Sequence, residues 1–288
     1  MKILLTGVNG QVGWELQRSL ATLGTVIAPR RDQLDLNNAH ALRESIRTIR
    51  PQLIVNPAAY TAVDKAESEP AIARAINAIA PAIMAEEAKT LGAAMLHFST
   101  DYVFDGSQTQ PWQETDTPNP LGIYGATKLE GEQAIQAMGI PHLILRTSWV
   151  YGLRGGNFLL TMQRLFRERE QLNIVNDQFG APTWSRMIAE ASAQILAQRP
   201  FTQPDLTGIY HLSNGGSTHW HAFASAILAR TPLPQGKQVT LTPIPATSYP
   251  TPAQRPANSV LNNDKLYEAF HIRLPDWETA LDLCLGGN

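Results

Sequence analysis

Short apolar segments alternate with helical patterns through the first half of the chain. The apolar segments cover residues 3–6, 25–28, 53–56, 93–99 and 142–147. Each is rich in aliphatic or β-branched residues, and each ends in polar residues or in Gly or Pro. Because these segments are short and sharply bounded, they predict buried strands.

The segments between these strands carry the spacing of amphipathic helices. In residues 14–23, the side chains of Leu16, Leu20 and Leu23 fall on one stripe, and residues 81–91 begin with Pro in the first turn and are followed by Gly. Parallel neighbouring strands need a crossover, and right-handed crossovers place helices on both faces of a sheet. The alternation therefore predicts an α/β fold built on a doubly wound parallel sheet.

The pattern becomes less regular in the second half. Helical spacing is present in residues 158–169 and 185–198, and a strand-like segment covers residues 172–175. Residues 233–256 are crowded with Pro and Thr. Such a composition excludes a central helix or strand and predicts a surface loop or edge structure. The second half is therefore expected to form a smaller lobe.

Composition and charge narrow the class of protein. With 43% apolar and 17% charged residues, the chain is an ordinary globular protein and not a disordered one. The 23 basic and 25 acidic residues nearly cancel, which gives no electrostatic footprint for nucleic acid or for an anionic membrane. The single cysteine, Cys284, excludes an internal disulfide, and no apolar run approaches membrane-spanning length. We expect a cytoplasmic protein without nucleic-acid or membrane partners.

A glycine triplet follows the first predicted strand and opens the first predicted helix. Gly7, Gly10 and Gly13 have the spacing GxxGxxG. Glycine at such positions permits a tight turn, a close approach of the backbone to a pyrophosphate, and close packing of helix on strand. A tight turn without a ligand would also explain a lone triplet, but the strand before it and the helix after it favour a dinucleotide site.

The end of the second predicted strand indicates which dinucleotide. It reads Arg30, Arg31 and Asp32. An acid at this place holds the ribose hydroxyls of NAD, whereas arginines accommodate a 2′-phosphate. The two arginines favour NADPH, with NADH as the alternative, although solvated surface charges or an inward-turned Asp32 would also fit.

A tyrosine and a lysine four residues apart supply candidate chemistry. On a helix, Tyr124 and Lys128 share a face, so the ammonium is expected to lower the pKa of the phenol and let it exchange a proton with a carbonyl or alcohol oxygen. The spacing alone is common. It gains weight here because Thr100 and Asp101 follow the fourth predicted strand, where doubly wound sheets build their sites.

Longer strings make a resemblance specific. Residues 56–67, 99–106, 124–132 and 177–183, with the Arg-Pro pair at Arg255, are similar to those of the dTDP-4-dehydrorhamnose reductase family over essentially the whole chain. This family belongs to the extended short-chain dehydrogenase/reductases. The resemblance implies NADPH-dependent reduction of the C4 ketone of dTDP-4-dehydro-L-rhamnose to dTDP-L-rhamnose, a step of polysaccharide biosynthesis.

The resemblance also implies how the chain is divided into domains. Residues 1–150 would form a Rossmann-type dinucleotide-binding domain that carries the catalytic pair. Residues 151–288 would form mainly a smaller C-terminal substrate-binding lobe, with some segments returning to the core.

The same resemblance assigns contacts to individual residues. It implies that the pyrophosphate of the cofactor contacts Gly10, Gln11 and Val12. The adenine would contact Asp35 and Leu36, and the ribose side would contact Ala58, Ala59 and Tyr60. Tyr124 and Lys128 would contact the nicotinamide ribose while acting in catalysis with Thr100. Thr100 and Asp101 would meet the sugar, and Trp149 would pack on it. Arg255 would either clamp the substrate pyrophosphate or cap a loop.

Two further implications concern departures and metals. The family often carries Ala and His where Pro57 and Tyr60 stand here, in a loop that makes backbone contacts. Many members are described with Mg²⁺ at a dimer contact, so a homodimer is a possible assembly. Glu15 and Glu190 are suitable acids, but an ordinary solvated carboxylate is the better expectation for each, and no metal ligand is assigned.

Three alternatives stay open at this point. A reductase of another dTDP-4-keto-6-deoxy sugar would keep nearly every motif. A non-catalytic nucleotide-binding regulatory relative is disfavoured because Tyr124, Lys128 and Thr100 are all present. A dehydratase would carry Glu where Tyr102 stands, and an epimerase usually shows small residues after the fourth strand.

Overall fold

A computed structural model describes residues 1–286. Its strands are β1 Lys2–Leu5, β2 Thr25–Ile27, β3 Leu53–Asn56, β4 Ala94–Thr100, β5 His142–Thr147, β6 Val150–Tyr151, β7 Gln171–Val175, β8 Phe179–Gly180, β9 Thr183–Trp184, β10 Gly208–His211, β11 Thr218–His219 and β12 Thr240–Ile244. Its α-helices are α1 Gln11–Ser19, α2 Ala39–Ile49, α3 Val63–Ala66, α4 Pro70–Arg74, α5 Ala80–Leu91, α6 Ile123–Ala137, α7 Phe158–Glu168, α8 Ser185–Ala197, α9 Trp220–Ala229, α10 Asp264–Phe270 and α11 Trp277–Leu285, and a π-helical turn at Ala75–Ile79 joins α4 to α5.

Six strands form one sheet in the order β10-β5-β4-β3-β1-β2. Every neighbouring pair in this sheet is parallel. The chain therefore winds outward from β1 in both directions, with helices as crossovers. The expected doubly wound, Rossmann-type α/β sheet is confirmed.

The sheet separates two apolar clusters because side chains on a strand alternate between its faces. In β1, Ile3 and Leu5 join the cluster that includes α1 and α8, whereas Leu4 joins the cluster that includes α2 and α5. All three leucine and isoleucine side chains are fully buried. This two-sided burial explains why the strands appear in the sequence as continuous apolar runs.

The five strands predicted in the first half are observed within one residue at each end. One strand of the six-stranded sheet was not predicted: β10, which pairs with β5 at the edge of that sheet. It has only four residues and begins at Gly208, so it carries no strand pattern of its own. Helix α1 begins at Gln11, ahead of the predicted start, because the chain enters the helix directly from the glycine loop, and a 3₁₀ turn replaces its predicted end at Leu20–Thr22.

The second half supplies both sheet-layer elements and a separate cluster. Helix α8 packs against α1, and β10 extends the sheet. Three two-stranded sheets, β6-β9, β7-β12 and β8-β11, surround a third apolar cluster that contains Phe166, Phe223 and Leu281. The Pro- and Thr-rich segment contains β12, an edge strand, as its composition predicted. No helix within residues 1–286 combines the length and apolar character that a membrane crossing requires.

Candidate active site

A cleft of about 500 Å³ opens where the parallel strands end. Doubly wound sheets bind ligands at this edge, outside the carboxyl ends of the strands. The predicted cofactor residues that line the cleft are Gly7, Gly10, Gln11, Val12, Gly13, Arg31, Asp35, Leu36, Ala58, Ala59, Tyr124 and Lys128. Arg30 and Tyr60 are absent from this lining, as are the predicted substrate residues Thr100, Asp101, Trp149 and Arg255.

The glycine loop has the shape of a pyrophosphate cradle. Gly7 has φ of +61°, and a Cβ there would lie 2.9 Å from the backbone of Ala58. A Cβ at Gly13 would lie 2.1 Å from the carbonyl oxygen of Gly7. No side chain caps the start of α1, so the amide groups and the positive end of the helix dipole are left for an anion.

Gln11 ties this loop to the second half of the chain. Its Oε1 accepts a hydrogen bond of 2.9 Å from Asn157 Nδ2, and its Nε2 donates one of 3.3 Å to the carbonyl of Val150. Gly155 and Gly156 also line the cleft. The predicted nucleotide domain therefore does not enclose the cleft alone, and the loop before α7 completes one wall.

The two arginines after β2 have different surroundings. Arg31 lines the cleft. The guanidinium of Arg30 lies 3.6 Å from the carboxylate of Asp32, and both side chains are mostly exposed. Of the two arginines, only Arg31 lies in the lining of the cleft, and Arg30 forms an exposed ion pair with Asp32.

The loop after β3 is held by a buried amide. Asn77, in the π-helical turn, accepts a hydrogen bond of 2.8 Å from the backbone N–H of Tyr60 and donates one of 3.2 Å to its carbonyl. The phenol of Tyr60 donates to Glu69, outside the cleft. The loop therefore presents Ala58 and Ala59, not the Tyr60 side chain, to a ligand.

Tyr124 lies in the first turn of α6 and faces the end of β4. The ring of Tyr102 stands edge-on to that of Tyr124 at 5.7 Å between centroids, and the Thr100 hydroxyl lies near the phenol. Desolvation raises the pKa of Tyr124 to about 12, the hydrogen bond from Thr100 lowers it, and the negative charge of Asp101 raises it. At neutral pH the phenol is protonated and is a proton donor.

Lys128 is almost completely buried one helical turn further on. Its Nζ donates a hydrogen bond of 2.6 Å to the carbonyl of Phe98 and lies 3.2 Å from Nε2 of His97. Burial lowers the pKa of Lys128 to about 8, and the charge of Glu132 opposes that change. The expectation that Lys128 lowers the pKa of Tyr124 is wrong for this geometry, because the phenol is governed by burial, Thr100 and Asp101.

Asp101 forms a buried hydrogen-bonded group beside the phenol. It accepts hydrogen bonds of 2.9 Å from Thr100 Oγ1 and 3.0 Å from Ser148 Oγ. Desolvation nevertheless raises the pKa of its carboxyl to about 6, against the hydrogen bonds from Ser259, Thr100 and Ser148. The carboxylate orients Thr100 and is not itself in the cleft lining.

Trp149 and Arg255 flank this centre. Trp149 has φ of +46°, and its ring stacks on that of Trp220 with centroids 3.5 Å apart. Arg255 pairs with Asp64 at 2.9 Å, beside a small hollow bordered by Tyr102 and Tyr124. The charge of Arg255 is thus already balanced by one carboxylate.

The acids suggested for Mg²⁺ do not form a site. Nε of Arg186 donates a hydrogen bond of 2.8 Å to Glu190, and the same guanidinium feels the charge of Glu15. Across residues 1–286, no group of three or more His, Cys, Asp or Glu side chains is arranged to hold a metal ion. The side chain of Glu190 is therefore already paired with a cation, as an ordinary surface carboxylate would be.

The family model described as the RmlD substrate binding domain matches residues 1–287. A dTDP-4-dehydrorhamnose reductase of Burkholderia thailandensis is 48% identical, with 99% of this chain and 98% of that protein aligned. The chain belongs to this reductase family. The Escherichia coli K12 enzyme of the same name is also 48% identical, over 98% of this chain and 96% of its own length.

Solved structures of this reductase family have the same fold as this chain. The crystal structure of a dTDP-4-dehydrorhamnose reductase from Bacillus anthracis in complex with NADP has a TM-score of 0.90 and 34% identity, covering 100% of this chain and 99% of that one. A UDP-glucose 4-epimerase from Thermus thermophilus has a TM-score of 0.80 at 21% identity, covering 100% of this chain and 98% of that one, and shows the shared fold alone.

Some residues of the site were not singled out from the sequence. These residues line the cleft from loops or strand ends that carry no motif; they include Thr147, Val150, Gly155 and Gly156. His97, in β4, is fully buried and contacts Lys128, and no pattern in the sequence pointed to this contact. The pairing of β4 with β5 brings these strand ends together, and sequence spacing does not reveal that register.

Proposed function

We propose that this chain catalyses the NADPH-dependent reduction of the C4 ketone of dTDP-4-dehydro-L-rhamnose to dTDP-L-rhamnose. The observation that carries the proposal is that Tyr124 and Lys128 line the same cleft as the glycine loop, with Thr100 next to the Tyr124 phenol. Family membership supplies the substrate, and the relative in complex with NADP supports the dinucleotide.

The cleft fits a dinucleotide along its length. The start of α1 offers the amide groups of Gln11 and Val12 to the pyrophosphate, and Gly10, whose own N–H donates to the carbonyl of Gly7, leaves room for its approach. Asp35 and Leu36 border the adenosine end, where Arg31 supplies positive charge for the 2′-phosphate. When bound, NADPH supplies the hydride that reaches the C4 carbon.

Tyr124 serves as the general acid. A phenol whose pKa is raised to about 12 keeps its proton at neutral pH and gives it to the C4 oxygen as negative charge develops there. The hydroxyl of Thr100 donates its one hydrogen to Asp101 in this structure and would turn that hydrogen to the same C4 oxygen when the sugar binds. Lys128 holds the ribose of the cofactor and adds positive charge near the reacting oxygen. The raised pKa suits reduction better than the reverse oxidation, which would need the phenolate.

The substrate is assigned to the side of Tyr124 away from the glycine loop. Trp149, whose ring stacks on that of Trp220, is assigned to the sugar, and Arg255, although paired with Asp64, offers donors to a diphosphate. In this arrangement residues 1–150 bind mainly the cofactor, and residues 151–288 bind mainly the sugar nucleotide.

The experiment is direct. Purified protein is mixed with dTDP-4-dehydro-L-rhamnose and NADPH, nicotinamide absorbance is followed, and the product is identified by NMR. We expect absorbance loss with dTDP-L-rhamnose as product. A product of opposite configuration at C4 would assign the enzyme to a different 6-deoxy sugar. Tight NADPH binding without turnover would indicate a regulatory relative and overturn the proposal.

A further inference from the structure

A chain of buried side chains runs from Lys128 to the start of the glycine loop. Nε2 of His97 lies 3.2 Å from Lys128 Nζ, and Nδ1 of the same ring lies 3.1 Å from Nδ2 of Asn56. Oδ1 of Asn56 accepts a hydrogen bond of 2.5 Å from Thr6 Oγ1. His97 and Asn56 are fully buried, and Thr6 directly precedes Gly7.

The donors and acceptors of this chain define the state of His97. A lysine ammonium has only donors, so the Nε2 atom that faces it must be the acceptor. The neutral ring then carries its hydrogen on Nδ1. If the Asn56 amide is turned by half a turn, its oxygen accepts from that hydrogen and its nitrogen donates to Thr6 Oγ1, which then accepts instead of donating.

The surroundings favour this neutral ring. Burial holds the pKa of His97 well below its usual value, and the positive charge of Lys128 acts in the same direction. With Lys128 only 1% exposed, the His97 ring and the Phe98 carbonyl are the two partners recorded for the ammonium. Loss of one partner would leave a flexible four-carbon side chain held by a single hydrogen bond.

We propose that His97 is a positioning residue for the reduction: backed by Asn56 and Thr6, it holds the Lys128 ammonium in the cleft beside Tyr124. The inference rests on the proposed function. It also links the two ends of the cleft, because the chain that fixes Lys128 ends on the residue before the glycine loop.

The kinetic test compares two substitutions at one site. His97→Leu fills the space without an acceptor, whereas His97→Gln retains one. We expect His97→Leu to lower kcat by about 10- to 100-fold, as for a lost hydrogen bond to a charged group, with a smaller change in the KM for the sugar nucleotide. His97→Gln should recover most of the turnover. His142→Leu is the matched control, since His142 is a buried histidine at the opposite end of the adjacent strand β5 and bonds only to the carbonyl of Ile140 among the described residues.

Wild-type turnover near that of His97→Leu, or equal losses for His97→Leu and His97→Gln, would overturn the proposal, because a purely structural role would not distinguish the two substitutions. An inactive wild-type protein would instead count against the proposed function, since the comparison needs a measurable wild-type rate.

A second measurement needs no turnover, and its deciding result comes from the wild-type protein alone. In ¹⁵N-histidine-labelled wild-type protein, two-bond proton–nitrogen spectra should show His97 as neutral with an unprotonated Nε2. In Lys128→Met, which removes the donor, that nitrogen should change its shift or the ring its tautomer. A hydrogen on Nε2 in the wild-type protein at pH 7 would contradict the proposed hydrogen bond.

Discussion

The glycine loop allows a prediction that does not depend on the chemistry of reduction. In Gly13→Ala, the new Cβ would lie 2.1 Å from the carbonyl oxygen of Gly7 and 2.6 Å from its carbonyl carbon. Both atoms belong to the backbone, so no side chain can rotate away. An ordinary contact begins at 3.4 Å, so α1 or the loop must shift by about 1 Å.

That shift has two consequences of different size. Overpacking of a well-ordered region costs about 1–3 kcal/mol of unfolding free energy. The shift also displaces the amide groups at the start of α1 that are proposed to hold the pyrophosphate. A loss of about 1.4 kcal/mol of binding energy is tenfold in affinity, so we expect the NADPH Kd to rise by at least about tenfold.

The assay pairs this variant with one at Gly156. That glycine also lines the cleft, but a Cβ there would meet nothing within 4 Å, and its φ is not in the left-handed region. Urea unfolding and NADPH fluorescence titration should place Gly156→Ala within about 0.5 kcal/mol of wild type. If Gly13→Ala bound NADPH and unfolded like wild type, the close packing of helix, loop and cofactor would be refuted.

Three further predictions follow from individual side chains. Arg31→Ala should raise the KM for NADPH far more than that for NADH, whereas Arg30→Ala should change neither much; equal effects on both cofactors would remove Arg31 from the 2′-phosphate. Trp149→Ala should raise the KM for the sugar nucleotide and leave the NADPH Kd nearly unchanged in a fluorescence titration, and loss of NADPH binding would assign the residue to the core. The carboxyl of Asp101, with a folded-state pKa of about 6 against 3.8 for the free group, stabilises the fold most below pH 4 and loses that contribution as pH rises through 6. Asp101→Asn should therefore gain up to about 3 kcal/mol relative to wild type between pH 4 and pH 8 in denaturant unfolding, and a pH-independent difference would contradict the raised pKa.

The sheet was predictable because its strands are buried on both faces. A strand such as β3, with all four residues buried, is a continuous apolar run that needs no knowledge of its neighbours. The edge strand β10 has two half-exposed residues and was missed for the same reason. A strand that is buried on both faces has a continuous apolar sequence and can be predicted from it. The pairing of an edge strand depends on its neighbouring strand, which the local sequence does not show.

The candidate site also contains residues that the sequence predicts and residues that it does not. Gly7, Gly13 and the Tyr124–Lys128 pair could be found because each obeys a local rule of backbone or helix geometry. The partner of Lys128 could not, since His97 reaches it across the contact between β4 and α6 and lies 31 residues away in sequence. For the same reason the pKa of Tyr124 was expected to fall: spacing shows a lysine on the same face, but not that its ammonium is bound elsewhere.

The central claim is that Tyr124 gives its proton to the C4 oxygen during hydride transfer. The most direct measurement is the turnover of Tyr124→Phe with NADPH deuterated at the transferring position, so that an isotope effect reports whether hydride transfer limits the rate. If Tyr124 is the proton donor, Tyr124→Phe should lower kcat by about 10² to 10⁴ while folding and NADPH affinity are retained. Thr100→Val should cause a smaller loss. Near-normal turnover of Tyr124→Phe with a clear isotope effect would show that the proton comes from another group.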